Sequence, residues 1–239
     1  MTAATAHGRT GRQSKALGLV TGLLDAILED ISLLAEETLE LLTTGAQPAS
    51  SDAGALRPRI HAILSDHTDL VIGAGVAFAP DVLSDQGRYL EWWWHRAGRG
   101  AESLRVNLEP TAPDFYDYTT TDWYTTPQRT GRPHVSGPYV DYACTNSYAL
   151  TLAHPVVTPS GVGAIVGADV PLSRFEARAL PLLSSRDRCI VVNGYGRVIL
   201  STVPDILPAT RWPSADGPKT GHRRPYGDWQ LLRPSAPRD

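Results

Sequence analysis

Between Pro110 and Cys144 the sequence is unusually rich in aromatic rings and carboxylates: Asp114, Phe115, Tyr116, Asp117, Tyr118, Asp122, Trp123, Tyr124, Tyr139, Asp141 and Tyr142. Trp and Tyr supply rigid apolar walls with a polar tip, and a partly buried Asp must be matched by a cation or by a set of donors. Ring faces attract ammonium groups, and carboxylates form charge-assisted hydrogen bonds with them. The combination describes a cage for a small organic cation. The same residues would serve equally as core rings and turn caps, and composition alone leaves both uses open. A connection of this length in a compact domain is usually functional.

Other chemistries lack their signatures. The sequence has no G-x-S-x-G, no P-loop with its Lys, no H-E-x-x-H and no dinucleotide fingerprint. The seven histidines are scattered. His134 with Tyr139 and Asp141 offers general acid-base work on a small amine, against which stands the simpler reading of a loop histidine that touches ligand or water. His61 and His67 fall on different faces of one helix and make no zinc pair. Asp114, Asp117 and Asp122 lack the Gly and terminal Glu of a calcium loop. Cys144 has no cysteine-hydrolase motif around it and reads as a small hydrophobe. Neither metal nor cofactor is expected, and binding without catalysis is the expected function.

Twenty-two basic residues against twenty-five acidic ones leave a net charge of -3, which gives no footprint for nucleic acid. Only Cys144 and Cys189 are present, too few for a disulfide framework, which favours a cytoplasmic protein. Arg9, Arg12 and Lys15 before the apolar residues 16–24 imitate a signal peptide, but Asp25, Glu29 and Asp30 follow at once with no small-x-small cleavage site. No stretch approaches the roughly 20 apolar residues of a membrane helix, so no membrane contact is expected.

The elements that must position the cage follow from periodicity. Residues 1–13 read as a mobile tail, with Ser14 as the N-cap of a helix running to Leu42. Leu17, Val20, Leu24, Ile27, Ile31, Leu34, Thr38 and Leu41 form a seam at alternating spacings of three and four, and Gly45 ends it. Such a seam serves either a homodimer or the chain's own core. A Pro/Ser/Asp linker at 47–53 precedes a short helix at 56–67, with Pro58 near its start. The period then becomes that of strands: 71–79, 89–96 and 104–108, the last two joined by a turn at 97–100, then 148–157 and 162–170 around a turn at 158–161. A helix at 171–180 and a hairpin of 189–193 with 197–202 follow. Residues 204–239 are rich in Pro and Gly and read as an arm with little structure of its own, which Trp212, Tyr226 and Trp229 would dock. Within 89–96, Trp92 and Trp94 alternate with Glu91 and Trp93, so one set adds to the pocket wall, and which set is open. The expected fold is α+β: a long N-terminal helix, then a central antiparallel sheet with flanking helices, as one domain over residues 14–203.

Four pieces of sequence, in order, resemble the ligand-binding half of a Cache domain, a sensory module related to PAS folds. They are Tyr116-Asp117-Tyr118-Thr119-Thr120-Thr121-Asp122-Trp123-Tyr124, Gly137-Pro138-Tyr139-Val140-Asp141, His154-Pro155-Val156-Val157, and residues 163–170 with Asp169. The resemblance implies ligand contacts from Tyr116, Trp123, Tyr124, Tyr139, Asp141 and Asp169, the Asp residues holding the ligand's ammonium group, with Trp92 and Trp94 as further wall candidates. Where amino-acid-binding members carry the Arg that clamps the ligand's carboxylate, this chain has Thr121. That departure favours an amine or quaternary ammonium compound, unless Arg129 or Arg132 reaches in and restores binding of an amino acid or small carboxylate. Cache modules usually lie between two membrane helices. This chain reads as a free-standing version, dimerised through its N-terminal helix and reporting to a separate regulatory protein, or binding without signalling.

Overall fold

The computed structural model describes residues 15–96, 100–143, 145–183, 188–212 and 229–233. The helices are α1 (residues 15–22), α2 (Asp25–Thr43), α3 (Arg57–Asp66), α4 (Asp122–Thr130) and α5 (Leu172–Ala179). The strands are β1 (Gly73–Phe78), β2 (Leu90–Arg96), β3 (Gly100–Ser103), β4 (His134–Asp141), β5 (Ser147–Thr158), β6 (Gly161–Pro171), β7 (Ile190–Val192), β8 (Val198–Ser201) and β9 (Gln230–Leu232).

The single N-terminal helix expected from the seam is divided at residues 23–24, and Ser14 lies outside the described residues. The Thr21 hydroxyl bonds back to the Leu17 carbonyl at 3.1 Å and the Leu24 N–H turns to the Thr21 carbonyl at 3.0 Å. Back-bonding by Thr bends helices, Gly22 disfavours continuing, and Asp25 suits the first turn of a new segment. Leu17, Val20, Leu24, Ile27, Ile31, Leu34 and Thr38 are all buried, and α2 packs on β5 and β6. Of the two uses open to the seam, its buried residues show packing on the chain's own sheet. Burial of a leucine is equally favourable against either surface, and the nearer one is the chain's own. Leu19 and Leu33 are the large apolar side chains left exposed on these helices. Gly45, with φ of 85°, lies just past the end of α2, as its position in the sequence suggests.

Residues 52–56 wind a 3-10 turn at the end of the expected linker, and α3 follows with Pro58 in its first turn. Ile60, Ile63 and Leu64 are buried against the core. His67 Nε2 meets Asp30 Oδ2 at 2.6 Å, tying α3 to α2, and His61 stacks edge-on against Trp93 at 4.6 Å. The two histidines thus have separate structural partners.

The six-stranded sheet has the order β3-β2-β1-β6-β5-β4, antiparallel at each pairing. The hairpins of β2 with β3 and β5 with β6 match expectation, although residues 97–99 of the first turn lie outside the described residues. The third strand is Gly100–Ser103, not 104–108. Leu104 makes the last backbone bond to β2 at 2.8 Å, and beyond it Leu104 and Leu108 pack over the sheet instead of extending its edge. The sheet divides the molecule into two layers. Helices α2, α3 and α5 cover one face, and the connection from β3 to β4 covers the other.

A second sheet, β8-β7-β9, takes in residues 230–232 of the stretch read as an arm with little structure of its own. Residues 203–212 fold back on β7 and β8, burying Val203 and Ala209 and packing Trp212 on the same cluster. Residues 230–232 return to pair with β7, whose second edge would otherwise leave hydrogen-bonding groups unmet. Trp229, 4% exposed, meets Phe175 of α5 edge-on at 5.7 Å. Tyr226 lies outside the described residues. Trp229→Ala is expected to lower stability by about 3–5 kcal/mol. A urea midpoint close to that of the parent would show that this strand is dispensable. Among the described residues, no helix is long and apolar enough to cross a membrane.

Candidate functional site

The floor of the site is a patch of the sheet cleared of side chains. Gly73 and Gly75 lie two apart on β1, on one face, and Gly167 pairs with Gly75 from β6. A Cβ at Gly75 would stand 2.3 Å from the Glu91 carbonyl oxygen and 3.0 Å from Trp92 Cε3, and one at Gly167 would stand 3.0 Å from Trp92 Cη2. The glycines therefore leave room for the Trp92 indole to lie across the sheet. This assigns the faces of the tryptophan strand: Trp92 belongs to the site. Trp93 and Glu91 turn to the helical face, where Glu91 takes Arg57 Nε at 2.9 Å, Trp93 Nε1 at 2.5 Å and the Tyr89 hydroxyl at 2.9 Å. Trp94 shares the face of Trp92, in a register row that runs through Gly73, Asp169, Thr151 and Ser136.

The cover is more ordered than a connecting loop. Asp117 caps a 3-10 turn at Tyr118–Thr120 by accepting the Thr119 N–H at 3.1 Å, and the buried Tyr118 hydroxyl donates to the Phe78 carbonyl at 2.7 Å. Helix α4 then runs to Gly131, whose φ of 62° ends it. Its inner face carries Trp123 and Tyr124, both buried. Trp123 lies 5.6 Å from Trp92, and Tyr124 stands edge-on to both Trp123 and Tyr118. Burial pushes the Tyr124 phenol up to about 12. Tyr116 packs on the same cluster.

Strand β4 bulges at Gly137, where φ is 111° and a Cβ would meet the Ala149 carbonyl at 2.6 Å; the Gly137–Pro138 peptide is cis. Beyond the bulge a chain of hydrogen bonds leads inward. The Tyr139 hydroxyl meets Thr151 Oγ1 at 2.6 Å, Thr151 donates to Asp169 Oδ1 at 2.6 Å, and Trp92 Nε1 donates to Asp169 Oδ2 at 3.2 Å. Because the Thr151 proton goes to Asp169, Tyr139 is the donor to Thr151. Burial, then the charge of Asp141, pushes the Asp169 carboxyl up to about 7 against the pull of its two donors. Asp141 is buried at the end of β4 and accepts the Ala143 N–H and the Thr145 hydroxyl at 3.2 Å each.

Six of the eight predicted ligand residues thus converge around one patch: Trp92, Trp123, Tyr116, Tyr139, Asp141 and Asp169. Tyr124 backs the cover, and Trp94 is half-buried one glycine away from Asp169 in its row. The proposed acid-base trio is not assembled. His134 pairs with Ala153 while Asp141 pairs with Ser147, a separation of about 20 Å along β5. His134 Nε2 instead meets Asp122 Oδ2 at 3.2 Å. Asp122, held well below the usual carboxylate range by His134 against the cost of burial, also accepts Ser136 and Thr126 hydroxyls. Asp114 takes Asn107 Nδ2 at 2.8 Å, and with Asp117 and Asp122 serves separate local caps, not a shared centre. Cys144 lies outside the described residues.

A cavity of about 550 Å³ opens between the start of α4, the β4 bulge and the β7–β8 hairpin, with Thr121, Trp123, Tyr139, Tyr195 and Arg197 among its walls. Arg129 and Arg132 are exposed and absent from these walls, so neither takes the clamping position suggested for it. Sequence reasoning missed Thr151, the glycine floor and the hairpin's contribution. The glycines had left a signal, two of them spaced by two within an apolar strand, which marks a close approach on one face. Thr151, between Leu150 and Leu152, is a polar break in another apolar strand. The hairpin left none, because nothing local relates residues 193–197 to residues 121–139.

No curated protein matches the sequence. Among solved structures, a methyl-accepting chemotaxis protein X aligns with TM-score 0.58 at 16% identity, over 86% of this chain and 79% of that chain. The ligand-binding domain of the Campylobacter jejuni chemoreceptor Tlp3 in complex with L-valine aligns with TM-score 0.56 at 12% identity, over 88% and 78%. These likenesses concern the fold. Residues 58–177, half of the chain, match the family described as methyl-accepting chemotaxis protein-like, first PDC sensor domain, which is the kind of module its motifs resemble. The chain belongs to this family of sensor domains.

Proposed function

We propose that this sensor domain binds a small organic cation, an amine or a quaternary ammonium compound, without chemical turnover. The observation that carries the reading is the setting of Asp169. It is 6% exposed, its contacts are the neutral donors Thr151 and Trp92, and its charged neighbour is a second carboxylate, Asp141. A buried carboxylate under aromatic rings, with a second carboxylate near enough to act on its charge, is a place that favours positive charge. An ammonium group there would gain charge-assisted hydrogen bonds from Asp169 and Asp141 and contact with the ring faces of Trp92, Trp123 and Tyr139. Thr121 at the clamping position adds no charge for a carboxylate.

The test is a thermal-shift screen followed by calorimetric titration with primary amines, tetramethylammonium, amino acids and small carboxylic acids. A ligand held only by the native state raises the melting temperature. Amine-bearing compounds are expected to do so while plain carboxylic acids do not. A response confined to carboxylic acids would reject the cationic reading.

A further inference from the structure

We infer that the site takes cations that carry N–H bonds, primary amines above all, and rejects quaternary ammonium compounds, with Thr151 imposing the choice by directing the neighbouring protons toward Asp169. The inference rests on the ammonium reading of Asp169 and narrows it. Tyr139, Thr151 and Trp92 form the hydrogen-bonded chain at this carboxylate, and each has one proton to give. Thr151 gives its proton to Asp169 Oδ1, and Trp92 Nε1 gives its own to Oδ2. Thr151 has no second proton to return, so the Tyr139 hydroxyl must donate to Thr151 Oγ1. All three protons are thus committed to one carboxylate, directly or in series. What is left for a ligand is lone pairs, on the carboxylate and on Tyr139 Oη. Asp141, whose charge also acts on Asp169, adds a further carboxylate.

The spacing suits a single nitrogen. Two hydrogen bonds of 2.6 Å that share Thr151 Oγ1 bring Tyr139 Oη within about 5 Å of Asp169 Oδ1. One ammonium nitrogen at hydrogen-bond distance from each oxygen spans that gap, so a single protonated primary amine can donate to both. A nitrogen clad in four carbons donates to neither and leaves both acceptors desolvated without a donor. Thr151 is fully buried and acts through its two neighbours, which makes it a positioning residue. The rings favour the same class. Trp92 and Trp123 stand 5.6 Å apart, and Tyr124 lies 6.1 Å from Trp123 and 5.4 Å from Tyr118. These are the distances of rings packed on one another. An aromatic cage for a quaternary ammonium group instead holds its faces apart by the width of that group, with the cation between them.

Four cations on one skeleton separate the alternatives: butylamine, N-methylbutylamine, N,N-dimethylbutylamine and butyltrimethylammonium, titrated at pH 8 into the full chain, Tyr139→Phe and Thr151→Val. In the parent, affinity is expected to hold within about threefold while two N–H groups remain, to fall about tenfold when one remains, and to fall about a hundredfold or more when none does. Tyr139→Phe removes the outer acceptor, and should weaken butylamine about tenfold while leaving butyltrimethylammonium within about threefold. Thr151→Val keeps the shape but frees the Tyr139 proton to turn toward the ligand, so the preference for butylamine over butyltrimethylammonium should shrink about tenfold. The inference is overturned if butyltrimethylammonium binds the parent as tightly as butylamine, or if that preference is unchanged in either folded variant. Should Thr151→Val not fold, the parent series and Tyr139→Phe still decide. If none of the four binds the parent, the underlying ammonium reading has failed, a different result from amine binding that ignores the number of N–H groups.

Discussion

Asp169→Asn is expected to abolish binding of ammonium ligands and to remove a marked pH dependence from the stability of the ligand-free protein. Its carboxyl titrates near 7 in the folded chain against an ordinary value of 3.8, mainly because burial disfavours the charged form. A folded-state value above the unfolded one means that the native state holds the proton more firmly, so this group's stabilising contribution is full below about pH 4. It is lost as pH rises through 7. The difference of roughly three pKa units corresponds to about 4 kcal/mol between the two limits. The ligand-free parent should therefore melt lower at pH 8 than at pH 5, by on the order of 10 °C from this group alone. Asn keeps the shape without the charge, and its melting curve should lack that part of the decline. The same group sets the ligand's pH profile. Because an ammonium ligand requires the ionised carboxylate, affinity should weaken about tenfold per unit as pH falls below 7. Loss of one partner from a buried charge pair should weaken binding about 100-fold or more in the variant. Parallel stability profiles for parent and variant between pH 5 and 8 would show that Asp169 is not the titrating group.

Gly75→Ala should be among the most damaging single-methyl additions in the chain, at about 3 kcal/mol. The added carbon would lie 2.3 Å from the Glu91 carbonyl oxygen and 2.6 Å from Trp92 Cα, both backbone atoms of the paired strand, so β2 itself must shift. Gly73→Ala makes the contrast. There the nearest atoms are Asp169 Oδ2 at 3.0 Å and Trp92 Nε1 at 3.1 Å, side-chain atoms that can yield at the cost of their mutual hydrogen bond. Gly75→Ala should lower the urea midpoint strongly, whereas Gly73→Ala should lower ligand affinity more than stability. Equal midpoints for Gly75→Ala and the parent would mean that the indole does not lie on a glycine floor.

Much of this arrangement is legible without coordinates where the signal is local. The spacing of Leu17 through Leu34 dictates a helix, the run at 148–170 dictates a hairpin, and the change of period after Asp69 separates helices from sheet in an α+β plan. The order of the Tyr, Trp and Asp motifs points to a sensor module, and the matched family agrees. Helix α4 and strand β4 are not legible in the same way. Pro127 interrupts the helical pattern, and the bulge at Gly137 breaks the alternation that would mark a strand.

The sequence by itself therefore determined the periodic elements, the class of fold and the set of rings and carboxylates, because each is written in residues close along the chain. Tertiary structure alone decided which surface the helix seam covers, since apolar burial does not distinguish the chain's own sheet from a partner. It decided that Trp92 and not Trp93 faces the site, because strand register against Gly75 and Gly167 sets the face. It also decided that residues 230–232 complete a sheet and that Arg197 reaches the cavity. Pairing between distant segments is settled by hydrogen bonds and packing that no local pattern records.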